Sequence, residues 1–160
     1  MSIFVLPINT SHGTFLARYS ENGLTGLNFP TNEKAPHISS AVTATIREWH
    51  KLTSDALDRV LNGKAVKDLP PLEMLGTEFQ KSVWAIMLAI EPGKTLSYGD
   101  VAARLGKPKA TRAVGSACGA NPIPVLVPCH RVLAANKKLG GFSGGLDWKK
   151  TLLRIEGIEF

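Results

Sequence analysis

Apolar and polar positions along this 160-residue chain change period twice. Residues 2–8 form a loosely alternating apolar run with Ile3, Phe4, Val5 and Leu6, and residues 14–19 and 24–29 read as two further strands. Between the last two, Glu21-Asn22-Gly23 is a hairpin signal, because Asn-Gly supplies the positive φ that a tight turn needs. The period then becomes helical. Residues 39–52 carry Ile46, Trp49 and Leu52, and residues 54–62 carry Leu57, Val60 and Leu61, with Gly63 placed to stop the second helix. Residues 64–73, with Pro70-Pro71, have no clear period and read as a linker.

Beyond the linker the pattern stays helical. Thr77 is placed to cap a helix over 78–90, whose stripe is Phe79, Val83, Trp84, Ile86, Met87 and Ile90 and which Pro92-Gly93 ends. Ser97-Tyr98-Gly99-Asp100 fits a loose capping box and opens a short helix to about residue 105. Gly106-Lys107-Pro108 makes a turn, and a second helix follows over about 110–118. Two short helices around a glycine-containing turn read as a helix-turn-helix. Asn136 to Gly145, with four glycines and a basic pair, suggests a flexible hairpin or wing. A last helix over about 147–156 packs Trp148, Leu152 and Ile155, leaving Lys149-Lys150 to solvent. The expected fold is an α/β N-terminal domain, an antiparallel sheet plus helices, over 1–74 with its linker. A mostly helical, winged helix-turn-helix-like C-terminal domain follows over 75–160.

Charge sharpens that division. Residues 1–74 carry seven Lys/Arg and seven Asp/Glu, whereas residues 75–160 carry twelve and six, so the whole net charge of +6 lies in the second half. Such an asymmetry suits a polyanionic partner, and it equally suits a basic, soluble surface. Hydrophobic content of 44% belongs to a globular chain, and no apolar run reaches membrane-spanning length. Residues 1–9 lack the pattern of a secretory signal. The two cysteines, Cys118 and Cys129, make no disulfide framework and suit a reducing cytoplasm. His12, His37 and His50 are scattered and fit surface or capping roles better than a metal motif.

The candidate chemistry lies in Asn121-Pro122-Ile123-Pro124-Val125-Leu126-Val127-Pro128-Cys129-His130-Arg131-Val132. Three prolines exclude an ordinary helix interior and favour a stiff, extended approach to Cys129. His130 and Arg131 can both favour the thiolate, the nucleophilic form of cysteine. His130 is the natural base, through a bridging water if the adjacent side chains diverge. Cys118 reads as structural, mid-helix with no local base.

That twelve-residue stretch resembles the active-site signature of the O6-alkylguanine-DNA alkyltransferases (methylated-DNA–protein-cysteine methyltransferases), and the likeness extends from about Phe79 to Gly157. The resemblance implies direct, irreversible, single-turnover transfer of an alkyl group from O6-alkylguanine, and from O4-methylthymine, to Cys129. It implies that Glu156, in Leu152-Leu153-Arg154-Ile155-Glu156-Gly157, completes a relay and orients His130. Asn121 would tie the second helix to the Cys129 loop. Tyr98 would aid rotation of the nucleotide and hydrogen-bond the flipped guanine, with backbone groups of Cys129, Val132 and Ser143 lining the pocket. Arg112 would fill the vacated stack, with Ala113 and Ser116 also facing DNA. The partner would be double-stranded DNA met through its minor groove, by a monomer without cofactor. No cysteine precedes Cys118, so the structural zinc that some members bind in the first domain is not expected. Two other readings stay open on the residues alone: a DNA-binding regulator with a redox-sensing Cys129, and a thiol hydrolase using Cys129 and His130.

Overall fold

The computed structural model describes residues 2–33, 37–142 and 144–160. Strands β1 (Phe4–Thr10), β2 (Gly13–Ser20) and β3 (Gly23–Asn28) form an antiparallel sheet in the order β1-β2-β3. Phe15, Ala17 and Tyr19 of the central strand are fully buried on one face, and Leu16 and Ser20 of the other face are buried as well. Pro7 is accommodated because β1 is an edge strand. The β2–β3 hairpin forms where expected, but its glycine acts differently. Glu21 and Asn22 make the loop, and Gly23, pairing with Ser20, takes the positive φ of 154°. A Cβ at Gly23 would collide with the Pro71 carbonyl.

One helix, α1 (Ala44–Leu61), replaces the two expected over 39–52 and 54–62. Residues 41–43 are not helical, and the Thr43 side chain caps α1 by accepting from Ile46 N. Thr53 bonds the Trp49 carbonyl and stays inside the helix, so the buried stripe runs without a break from Ile46 to Leu61. Gly63, at φ 71°, lets Lys64 N reach the Arg59 carbonyl and Gly63 N the Val60 carbonyl, a Schellman ending. His50 does not have the surface or capping role expected of it. It joins α1 to the sheet, bonded to the Tyr19 hydroxyl at 2.7 Å and the Pro7 carbonyl at 3.0 Å.

The segment read as a linker is tied down at its end. Leu24 N donates to the Pro71 carbonyl, Glu73 N to the Leu24 carbonyl, and Ser20 to the Glu73 carboxylate. Next along the same strand, Leu27 N donates to the Pro122 carbonyl, so β3 is bonded directly to the Cys129 loop.

Helix α2 (Glu78–Leu88) starts at a full Thr77/Gln80 capping box and ends two residues sooner than 78–90, before Pro92-Gly93. A two-residue strand β4 (Leu96–Ser97) leads into α3 (Tyr98–Arg104), capped reciprocally by Ser97 and Asp100, and α4 (Thr111–Gly119) completes the helix-turn-helix. Trp84 Nε1 donates to the Ala117 carbonyl at 2.8 Å, fixing α4 against α2. A second short strand, β5 (Val132–Leu133), pairs in parallel with β4 and brings the start of α3 beside the residues after Cys129. Among its described residues, the glycine-rich wing contains no strand. Left-handed Asn136 and Lys137 turn the chain, and Lys149 holds the Gly141 carbonyl. The chain closes with α5 (Leu146–Ile155). Buried side chains of both halves, including Phe15, Tyr19, Leu57, Trp84, Ile123 and Leu152, form one contiguous core. No helix among the described residues is long and apolar enough to cross a membrane.

Candidate active site

The Cys129 loop is compact rather than extended. Val127 N donates to the Ile123 carbonyl and Cys129 N to the Val127 carbonyl, so the prolines stiffen a series of turns. Asn121, just past α4, braces them from within. Its Oδ1 accepts from Ile123 N at 2.9 Å and its Nδ2 donates to the Val127 carbonyl at 2.8 Å. Val125 adopts φ 74°, which costs a β-branched residue about 1–3 kcal/mol and persists only where surrounding bonds over-determine it. Cys129, His130 and Arg131 then form a single 3₁₀ turn.

Cys129 is 3% exposed and His130 fully buried. Burial pushes the Cys129 thiol up to about 11, against smaller lowering effects of the Asn121 side chain and the Lys149 charge. The His130 ring is lowered, first by burial, with its bond to Glu156 acting the other way. The resting pair is therefore thiol and neutral imidazole. The expectation that His130 and Arg131 would hold a thiolate fails for a geometric reason: both turn to Glu156. His130 Nε2 lies 2.6 Å from Glu156 Oε2, and Arg131 makes a fork to the same carboxylate. An ionised carboxylate only accepts, so Nε2 carries the proton and Nδ1 presents a lone pair. Nδ1 is buried with no protein partner, the one such side-chain atom among the described residues.

Lys149 overturns the solvated reading. It is 1% exposed, and its ammonium donates to the carbonyls of Val132 at 2.9 Å and Gly141 at 3.2 Å. The buried stripe of α5 is Lys149, Leu152, Leu153 and the Glu156 side chain just past the helix end. That is one position round from the stripe read in the sequence, and a lysine and a glutamate in phase with two leucines were the available signal. Val132 is buried, its N–H bonded to the Cys129 carbonyl and its own carbonyl to Lys149.

Tyr98 opens α3 half-buried, its ring against Gly115 of α4 and its hydroxyl so close to Gly140 that a Cβ there would collide. Its hydroxyl is raised, first by burial and then by Cys118 and Cys129. Arg112, Ala113 and Ser116 are all exposed on one face of α4, while Val114, Ala117 and Cys118 face the core. Arg104 at the end of α3 and Lys107 and Lys109 in the turn that follows are exposed. Cys118 lies in the last turn of α4 rather than mid-helix, its Sγ 3.6 Å from Met87 Sδ. Ser143 lies outside the described residues.

The helix pair with its exposed basic turn, leading directly into a buried cysteine-histidine pair backed by a glutamate, defines a class: DNA-binding proteins that carry a cysteine acceptor. Residues 78–158 match the family described as 6-O-methylguanine DNA methyltransferase, DNA binding domain. A methylated-DNA–protein-cysteine methyltransferase of Methanosarcina acetivorans is 40% identical over 98% of this chain and 97% of its own. The crystal structure of Mycobacterium tuberculosis OGT in complex with DNA matches with a TM-score of 0.79 and 34% identity, covering 96% of this chain and 92% of that one. An O6-methylguanine DNA methyltransferase from Methanococcus jannaschii matches with a TM-score of 0.70 and 32% identity, over 97% and 95%. The chain belongs to the methylated-DNA–protein-cysteine methyltransferase family.

Proposed function

We propose that the protein repairs alkylated DNA directly, with Cys129 as the alkyl acceptor. The observation that carries this reading is the neutral relay: a buried thiol beside an imidazole whose Nε2 is committed to Glu156 and whose Nδ1 is left basic. The thiol proton passes to Nδ1, through one water where the side chains diverge. The thiolate Sγ attacks the alkyl carbon, an S–C bond forms, and the bond from carbon to guanine O6 breaks. The proton returned by His130 neutralises the departing guanine, with the Tyr98 hydroxyl as its hydrogen-bond partner. Atoms and charge balance, and the product thioether offers water no easy route to release. Each molecule therefore acts once. O4-methylthymine presents the same bond and is a second substrate.

Duplex DNA is the partner, read through phosphates rather than sequence and approached from the minor groove by α4, whose Ala113 and Ser116 leave room for contact. Arg112 occupies the gap when the damaged base leaves the stack. A backbone group of Val132 lines the base pocket. The protein works as a monomer in the cytoplasm, with 1–74 as the supporting domain and 75–160 as the DNA-binding and acceptor domain. The test is a titration of repaired O6-methylguanine duplex against protein. One equivalent followed by a complete stop supports the reading, and continued turnover refutes it.

A further inference from the structure

Glu156 is the most heavily bonded side chain in the site. Its Oε1 accepts from Gly93 N at 3.1 Å and Arg131 Nε at 2.8 Å. Its Oε2 accepts from His130 Nε2 at 2.6 Å and an Arg131 terminal nitrogen at 3.1 Å. The four donors come from two separate parts of the fold: Gly93 N in the turn after α2, and the His130 and Arg131 side chains of the 3₁₀ turn. The other terminal nitrogen of Arg131 donates to the Ile90 carbonyl at 2.6 Å, so the guanidinium is fixed at both ends. The Glu156 side chain is 1% exposed and that of Arg131 7%, so this is a buried, bidentate ion pair.

We propose that Arg131 is a positioning residue for the transfer: with the Gly93 amide it holds Glu156 as a fully bonded carboxylate, so that the thiol proton stays on His130 for return to the guanine and does not pass on to Glu156. This rests on the relay described above and assigns each proton in it. A carboxylate with four donors has no site left at which a proton would not displace one of them. Glu156 therefore stabilises the imidazolium without being protonated, as the aspartate of a serine-protease triad does.

Arg131 has a second effect, through charge. With Glu156 it forms a neutral pair, so protonating His130 adds an uncompensated charge to a buried site. Without the guanidinium, the same protonation would complete a His130–Glu156 ion pair. Among the described residues, the other charge acting on the ring is Lys149 of α5, which also opposes protonation, and Cys129 is its neighbour in the 3₁₀ turn. The nearest pair from the α2 turn, Glu91–Lys94, is solvent-exposed. Arg131 thus keeps His130 an empty base at rest, ready to take the thiol proton. Burial lowers the imidazole first and Arg131 lowers it further, while Glu156 is held down at about 2 by its partners, His130 and Arg131.

The experiment follows His130 by ¹⁵N NMR across pH in the intact protein, alongside the pH profile of single-turnover transfer from free O6-benzylguanine, which removes DNA binding from the rate. In the wild type, His130 should be the neutral Nε2–H tautomer at pH 7 and titrate below the ordinary histidine value of about 6.5. Arg131→Gln, which keeps an amide donor for Ile90 but no charge, should move both the titration and the acid limb of the rate upward by about one pH unit or more. Arg131→Lys, which keeps the charge, should return both toward the wild type. A wild-type His130 that titrates above 6.5 overturns the proposal whether or not the variants fold. So does an unchanged titration in folded Arg131→Gln, even with lower thermal stability, since that is what a purely structural arginine would give. Failure of the wild type to take up any benzyl group would instead strike at the repair reading and leave the NMR result to judge Arg131.

Discussion

The two cysteines lie eleven residues apart and are both buried, yet their surroundings ask different things of them. Burial pushes both thiols up, Cys118 to about 12 and Cys129 to about 11. Neither is a standing thiolate, so exposure and resting ionisation do not single out the nucleophile. What separates them is the company within reach. Cys118 faces the Met87 sulfur in the apolar contact between α4 and α2. Cys129 stands beside Asn121, Lys149 and a histidine whose outer nitrogen is committed and inner nitrogen free. Reactivity at Cys129 is therefore a property of a proton path that opens when substrate arrives.

The largest break in this comparison should come from the cysteines themselves. Cys129→Ser should abolish alkyl uptake while duplex binding and thermal melting stay close to wild type. Cys118→Ser should leave uptake within about twofold, since it removes one weak sulfur contact. Transfer rates from O6-methylguanine duplex, with melting curves on the same samples, check both.

Next in size is the path by which the base reaches Cys129. Arg112→Ala should slow repair of duplex DNA by about 100-fold, the equivalent of about 2–3 kcal/mol of the unstacking cost. Free O6-benzylguanine, which needs no flipping, should react almost normally. Single-turnover rates on both substrates at saturating protein measure this. A duplex rate restored by more protein would reduce Arg112 to a phosphate contact, and equal slowing on both substrates would place the fault at Cys129.

A smaller effect is expected from Lys149→Met. The variant removes the buried charge that favours the Cys129 thiolate and leaves the Val132 and Gly141 carbonyls without their donor. Transfer should be about tenfold slower, since about 1.4 kcal/mol added to thiol ionisation is a factor of ten. Raising the pH should recover much of that loss if Lys149 acts through the thiol. A pH-independent loss would mean that it acts only by holding the loop.

The smallest effect concerns stability. His50 and His130 are both lowered in the fold, so the unfolded chain takes up protons first and stability should begin to fall as pH drops through about 6.5. Glu156 is depressed from 4.5 to about 2, so its contribution is complete above 4.5 and lost between there and about 2. Denaturant melts across pH should show both declines. His50→Gln should weaken the upper one and leave the lower.

The contrast between the cysteines was partly legible in the sequence. The residue types around Cys129 marked it, and local signals placed the strands, the Ser97 cap, the Thr77 cap and both helices of the pair. These depend on neighbours a few residues apart. The partners of Arg131 and the burial of Lys149 depend on contacts 25 and 17 residues away, and on the phase of α5 against the Cys129 turn. A one-position error in that phase sent Lys149 to solvent. The loop before Cys129 was misread for a similar reason. Proline restricts φ without saying where the chain turns, and Asn121, bonding back along the loop, decides that. The division of α1 into two helices, 39–52 and 54–62, left a gap at Thr53, a residue whose buried side chain carries the stripe straight through to Ala56 and Leu57.

The most direct measurement is peptide mapping by mass spectrometry after incubation with excess O6-methylguanine duplex. The expected result is a single methyl group per molecule, on the peptide containing Cys129, with no further uptake at longer times. A methyl group on Cys118, or continued repair without a modified protein, would contradict the assignment of Cys129 as the acceptor.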